Sequence, residues 1–229
     1  MADVRAIVFD LDDTLYPYRQ FVSSGFRAVA RMLEDRHDVP AALALRTLRR
    51  ASRGRDRGRE LQRLCETFAL EPALVPALVA LMQAHTPTLH LPAGAARVLR
   101  TLRRGWRVGI LTNGTPAIQA RKVDALDVAP LVDTVVFAAA CGTGQGKPSP
   151  DAFAAVLDQL GARPATSVFV GNDPVADIAG AAGVGMKTIY VAPSRETAGA
   201  VPCDAIAISL REVPALARRL VRREGMHVH

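Results

Sequence analysis

The chain has 229 residues, 49% of them hydrophobic, enough to bury a sizeable core with room for a smaller second one. Its formal charge of +7 leaves a polyanionic partner open, while no apolar run approaches the roughly 20 residues that cross a bilayer, which excludes a helical membrane protein. Cys65, Cys141 and Cys203 are odd in number, far apart and outside any metal-ligand spacing, which argues against a disulfide scaffold and for reduced thiols.

Met1-Ala2-Asp3-Val4 leads straight into a strand rather than a signal peptide, so a soluble, cytoplasmic protein is expected. Val4 to Phe9 reads as a buried parallel strand, because Ala6-Ile7-Val8-Phe9 is apolar without alternation. Asp10 and Asp12 stand where it runs out, at the strand end where open α/β sheets hold their ligands. Neither carboxylate can sit desolvated beside the other without a cation or a proton.

From Thr14 to His90 the periodicity turns helical, with candidate helices Phe21 to Asp35, Pro40 to Ala51, Gly58 to Phe68 and Pro72 to Ala84. Four short helices predict a small bundle inserted over residues 16–90 between the two parts of a core, 1–15 and 91–229. Proline-containing hinges, Tyr16-Pro17-Tyr18 and Thr86 to Pro92, join them. The insert carries arginines at 46, 49, 50, 53, 55, 57, 59 and 63 against only Asp56 and Glu60 in that stretch. This stripe reads as a solvated hairpin, as a collar in which Arg53, Arg55 and Arg57 attract anionic metabolites, or as a nucleic-acid surface. The last is disfavoured, because no stacking aromatics interleave it.

After the hinge, strand and helix alternate. Strands are predicted at Arg107 to Leu111, Thr134 to Phe137, Ser167 to Val170, Thr188 to Val191 and Ala205 to Ile208, with a last helix from Arg211 to Arg223. The order implies an α/β fold, a Rossmann-like three-layer α/β/α arrangement around a parallel sheet. The tail from Glu224 to His229 reads as terminus despite its two histidines. Trp106 reads as a core cover, His85 and His90 as hinge histidines without ligand spacing, and Cys141 as a small buried hydrophobe. Tyr16 or Tyr18, just past the acid pair, could contact a substrate.

Three segments supply what the acid pair lacks. Thr112-Asn113-Gly114 ends a strand in a hydroxyl, an amide and a glycine, suited to an anion at a helix start. Lys147, in Gly146-Lys147-Pro148, is one of only three lysines among 29 cationic side chains, and a compact ammonium can neutralise both a phosphate and Asp10. Gly171-Asn172-Asp173-Pro174 ends another strand with Asp173 and, one helical turn later, Asp177, and Pro174 suits Asp173 as an N-cap.

These four motifs in this order resemble the haloacid dehalogenase-like superfamily over nearly the whole chain, and the helical insert resembles the cap of its subclass I. The resemblance implies a hydrolase that uses Mg2+, with Asp10 as a nucleophile forming an aspartyl phosphate and Asp12 as general acid and base. It implies that Thr112, Asn113 and Gly114 hold phosphoryl oxygens, that Lys147 neutralises charge, and that the metal is held by Asp10, the Asp12 backbone carbonyl and Asp173, with Asp177 binding or orienting it. Superfamily dehalogenases lack the second aspartate, whereas Asp12 is present; phosphonatases use a cap lysine, whereas the insert has none. The expected function is therefore hydrolysis of a small soluble phosphomonoester, of the nucleoside monophosphate or sugar phosphate class, by a monomer or homodimer. A phosphomutase of the same superfamily and a non-catalytic nucleic-acid binder are the alternatives.

Overall fold

The computed structural model describes residues 4–194, 196, 199 and 201–222, which divide into two compact units, Tyr18–Leu89 and the chain before and after it. Met1-Ala2-Asp3, Arg223 at the end of the last predicted helix, and His227 and His229 in the tail lie outside the described residues.

In the helical unit, α1 (Arg19–His37), α2 (Ala41–Ala51), α3 (Glu60–Thr67) and α4 (Val75–Ala84) share one core. Phe26, Val29 and Leu33 of α1 meet Ala44 and Leu48 of α2, Leu64 and Cys65 of α3 and Leu78 of α4. The 3.6-residue repeat puts these residues on one stripe of each helix, and their burial drives the unit's folding. Helix α3 begins later than the sequence predicts, because Gly58 and Arg59 stay in a turn closed by the Arg59 N–H on the Asp56 carbonyl at 2.8 Å. Pro72–Leu74 forms a 3-10 turn and α4 follows it, with Pro76 in its first turn, where a missing N–H costs nothing. His85 is buried against Phe21, ring centroids 4.9 Å apart. Arg59 and Arg63 pair with Glu66 and Asp56, whereas Arg46, Arg49, Arg50 and Arg53 line a concavity of about 700 Å³ along α2.

The other unit is a six-stranded parallel sheet: β1 (Ala6–Phe9), β2 (Arg107–Thr112), β3 (Thr134–Phe137), β4 (Ser167–Gly171), β5 (Lys187–Val191) and β6 (Ala205–Ala207), in the order β3-β2-β1-β4-β5-β6. Helices α5 (Ala93–Leu102), α6 (Pro116–Leu126), α7 (Pro150–Leu160), α8 (Gly180–Gly183) and α9 (Val213–Arg222) alternate with the strands, and a π-helical stretch, Pro174–Ala179, leads into α8. Alternate residues of β1 face opposite sides, and all four are fully buried, so both faces of the sheet are covered. On one face Ala6, Val8, Leu111 and Phe169 pack on Phe153, Val156, Leu157 and Leu160 of α7; α5 packs on β2, α9 on β4, β5 and β6, and these two helices on each other. Trp106 is 8% exposed and lies under the Arg5 guanidinium, and Cys141 packs at the margin of the α7 core.

Strands β2 and β4 each run one residue beyond their predicted ends, because Thr112 pairs in register with Phe137 and Gly171 with Tyr190. Strand β1 lies between β2 and β4, where chain order reverses across the sheet. A crevice opens at such a switch point, and Asp10 follows it directly. Phe153 meets Phe169 edge-on at 5.3 Å with no exposure of either ring. Phe153→Ala should cost about 3–5 kcal/mol of stability, measured by urea denaturation, because the tightly packed sheet and α7 cannot collapse into the void.

Candidate active site

Asp10 leaves β1 with its N–H on the Val170 carbonyl at 2.9 Å, which ties its backbone to β4. Its side chain is 10% exposed, and Lys147 Nζ donates to Oδ1 at 2.7 Å. The same ammonium donates to Asp177 Oδ1 at 2.7 Å and to the Leu111 carbonyl at 2.9 Å, so all three of its protons are used. Asp177 is nearly enclosed, and its Oδ2 accepts the N–H groups of Asn172 and Asp173 at 3.0 Å each. Gly171 permits this fold-back, because any β-carbon there would overlap the Asp177 carboxylate. Asp173 caps the π-helical stretch, its Oδ1 accepting from Val175 and Ala176 at 2.8 Å each. Thr14 reaches across to Asn172 Oδ1 at 3.0 Å and joins the first loop to this one.

The turn after β2 faces the same loops. Asn113 grips the backbone of Lys147 from both sides, Nδ2 donating to its carbonyl at 2.9 Å and Oδ1 accepting its N–H at 2.7 Å. This side chain therefore braces the lysine's loop. Gly114, at φ 110°, turns the chain into α6 through a conformation that other residues rarely adopt. Thr112 is 1% exposed, and its hydroxyl accepts from Gln119 Nε2 at 2.6 Å.

Asp12 is held differently. Its side chain is 26% exposed, and it is bound by the Tyr16 hydroxyl, by Lys122 and by Gln119. Tyr16 is 1% exposed and braces the acid with its hydroxyl, while Tyr18 belongs to the helical unit and stacks on Phe21. Gln119 and Lys122 are the site residues that sequence reasoning passes over. A signal was present: they occupy the buried face of α6 together with Val123 and Leu126, where a helix that only packs carries apolar residues.

Burial pushes the Asp10 carboxyl up to about 6, against the pull of the Lys147 ammonium and with a further push from Asp177. Burial draws Lys147 down, but Asp10 and Asp177 more than reverse it, and its ammonium is held above its ordinary range. Burial raises all three thiols, most simply read as packing groups rather than nucleophiles.

Among the described residues no three His, Cys, Asp or Glu side chains gather as a metal cluster. Magnesium asks for less than that, since it keeps several waters and takes one or two carboxylates. Among the described residues, Asp10 and Asp173 each retain one carboxylate oxygen without a hydrogen bond, whereas both oxygens of Asp177 are engaged. This hard oxygen set fits the ion.

The model of the haloacid dehalogenase-like hydrolase family matches residues 4–185. A ribulose-1,5-bisphosphate 5-phosphatase from Halopiger xanaduensis is 36% identical over 119 residues, 52% of this chain and 49% of that protein, so the match spans about half of that relative's length. A glyceraldehyde 3-phosphate phosphatase from Methanothermobacter thermautotrophicus is 30% identical over 200 residues, 82% of this chain and 85% of the relative. In fold, the chain resembles a HAD phosphatase from Thermococcus onnurineus (TM-score 0.61, 21% identity, 93% of this chain and 97% of the other). It is equally similar to an L-2-haloacid dehalogenase from Xanthobacter autotrophicus (TM-score 0.61, 24% identity, 94% and 99%).

Two outcomes follow from the buried charges. A carboxyl held above its ordinary value binds a proton more tightly folded than unfolded, so its stabilisation is complete below about 4 and is lost as pH rises through about 6. In chelator, the parent should lose melting temperature relative to Asp10→Asn between pH 4 and 7; parallel curves would contradict the burial argument. Lys147→Met leaves Asp10 and Asp177 facing one another without a cation, and should cost about 3–5 kcal/mol at neutral pH in a denaturant titration.

Proposed function

This chain belongs to the haloacid dehalogenase-like hydrolase family, and we propose that within it the protein is a magnesium-dependent phosphomonoesterase acting on a small sugar phosphate. The observation that carries this reading is the pairing of the enclosed Asp10, held by Lys147 at 2.7 Å, with a second, partly exposed acid two residues away. Asp10 supplies a carboxylate oxygen to phosphorus as the ester P–O bond breaks, giving an aspartyl phosphate. Asp12 gives a proton to the departing alkoxide and later takes one from the water that attacks the aspartyl phosphate, which releases inorganic phosphate and restores Asp10. A halide leaving group needs no such acid, so Asp12 favours ester cleavage over dehalogenation.

Lys147 compensates the charge that builds on the phosphoryl group while keeping Asp10 oriented, and Asn113 holds the lysine's backbone for that task. The Thr112 hydroxyl and the backbone of Asn113 and Gly114 receive phosphoryl oxygens. Asp10, Asp173 and the Asp12 backbone carbonyl would hold magnesium, and Asp177 acts through Lys147 and the Asn172–Asp173 backbone. The ion, when bound, screens the repulsion between carboxylate and phosphate. The sugar-phosphate class is supported by the names of the relatives, two of which hydrolyse ribulose 1,5-bisphosphate and glyceraldehyde 3-phosphate.

The reading is tested by phosphate release from a panel of sugar phosphates, nucleoside monophosphates and 4-nitrophenyl phosphate, with magnesium and without a bisphosphate activator. Turnover should be greatest on a sugar phosphate, vanish with exhaustive chelation, and fall by at least about a thousandfold in a folded Asp10→Asn variant. Persistent activity in that variant would remove the covalent route, and turnover only with a bisphosphate would indicate a mutase.

A further inference from the structure

Two polar side chains on α6 have no part in the chemistry above, and both close on Asp12. Gln119 is 2% exposed and Lys122 4%, one helical turn apart. Lys122 Nζ lies 2.9 Å from Asp12 Oδ1 and 2.7 Å from Oδ2, while Gln119 Nε2 donates to Oδ2 at 3.0 Å and the Tyr16 hydroxyl to Oδ1 at 2.6 Å. These contacts engage both carboxylate oxygens. The side chain is thereby gripped from its own loop on one side and from α6 on the other.

Gln119 reaches further. Its Nε2 also donates to Thr112 Oγ1 and meets the Asn113 carbonyl. Because Thr112 Oγ1 accepts from this amide, its own proton remains available to donate elsewhere. One side chain thus spans the distance between the second aspartate and the turn assigned to phosphoryl oxygens. Burying an ammonium and an amide is costly, and Gln119 Oε1 has no partner among the described residues, yet α6 could have packed with two more aliphatic residues.

We propose, on the basis of the phosphomonoesterase reading, that Gln119 and Lys122 are positioning residues that fix the Asp12 carboxylate in register with the Thr112–Asn113 turn. Proton transfer to the leaving oxygen then needs no search over side-chain rotamers. A displacement of about 1 Å at such a group can cost on the order of a hundredfold in rate. The loss should depend on how much the leaving group needs a proton. Glyceraldehyde 3-phosphate must expel an alkoxide, whereas 4-nitrophenyl phosphate expels a stable phenolate.

The test compares kcat/KM, which reports the first phosphoryl transfer, for these two esters in the parent, Gln119→Leu, Lys122→Met and Lys122→Arg. The leucine and methionine variants should lose at least about tenfold more on the sugar phosphate than on the aryl phosphate, and Lys122→Arg should recover part of the loss. Equal losses on both esters, as a merely structural role would give, or parental behaviour on both, would overturn the proposal. A second measurement does not depend on activity: thermal melts of Asp12→Asn, Lys122→Met and the double variant. The two losses should fail to add, because each substitution removes the same contact, and strict additivity would overturn the grip. Should the parent release phosphate from no ester, the phosphomonoesterase reading fails alone, and the melts decide whether Lys122 holds Asp12.

Discussion

One ammonium stands between two enclosed carboxylates at the end of the central strand, and the site is arranged around it. Lys147 spends its three protons on Asp10, Asp177 and the Leu111 carbonyl. Those partners come from the ends of β1 and β2 and from the π-helical stretch that follows β4, so a single side chain ties two strand ends to that stretch. Two buried carboxylates without a cation would repel each other and would each lose their hydration. The supporting contacts serve that cation: Asn113 holds the lysine's backbone, and Gly171 leaves room for Asp177 to fold back.

The two aspartates of the first loop sit two residues apart yet meet different surroundings. Asp10 is enclosed and leans on Lys147, while Asp12 keeps a quarter of its side chain exposed and leans on Lys122, Gln119 and Tyr16. Two of the three lysines in an otherwise arginine-rich chain thus serve the two acids. A small ammonium reaches a buried oxygen with less volume than a guanidinium fork. Separate environments for neighbouring carboxyls are how one site assigns a nucleophile and a proton carrier.

Much of this was legible in the chain. The unbroken apolar run of Ala6 to Phe9 identified a strand covered on both faces, and the acids after it marked that strand's ligand-holding end, which the sheet order then placed at a switch point. The stripes of Phe26, Leu33, Leu48 and Leu64 announced a separate helical core. Less legible were the ends of β2 and β4, since pairing with Phe137 and Tyr190 extends them and local propensity does not register a partner strand. Also illegible was the Asn113 side chain's hold on the lysine loop, 34 residues away in sequence.

By itself the sequence determined the alternation of strands and helices, the helical insert, and the four motifs in order, because periodicity and residue chemistry are local properties that a linear string carries. The Lys147–Asp10 pair was already expected from the motifs, but the tertiary structure alone brought Lys122 to Asp12 and Asp177 to Lys147. Lys147 lies 137 residues from Asp10, and Lys122 lies 110 from Asp12. Nothing in the spacing of those residues says that one lysine serves the first acid and the other the second. That assignment follows from sheet order, which sets β2 and β4 on either side of β1, and from the rotation of α6, which turns Gln119 and Lys122 inward.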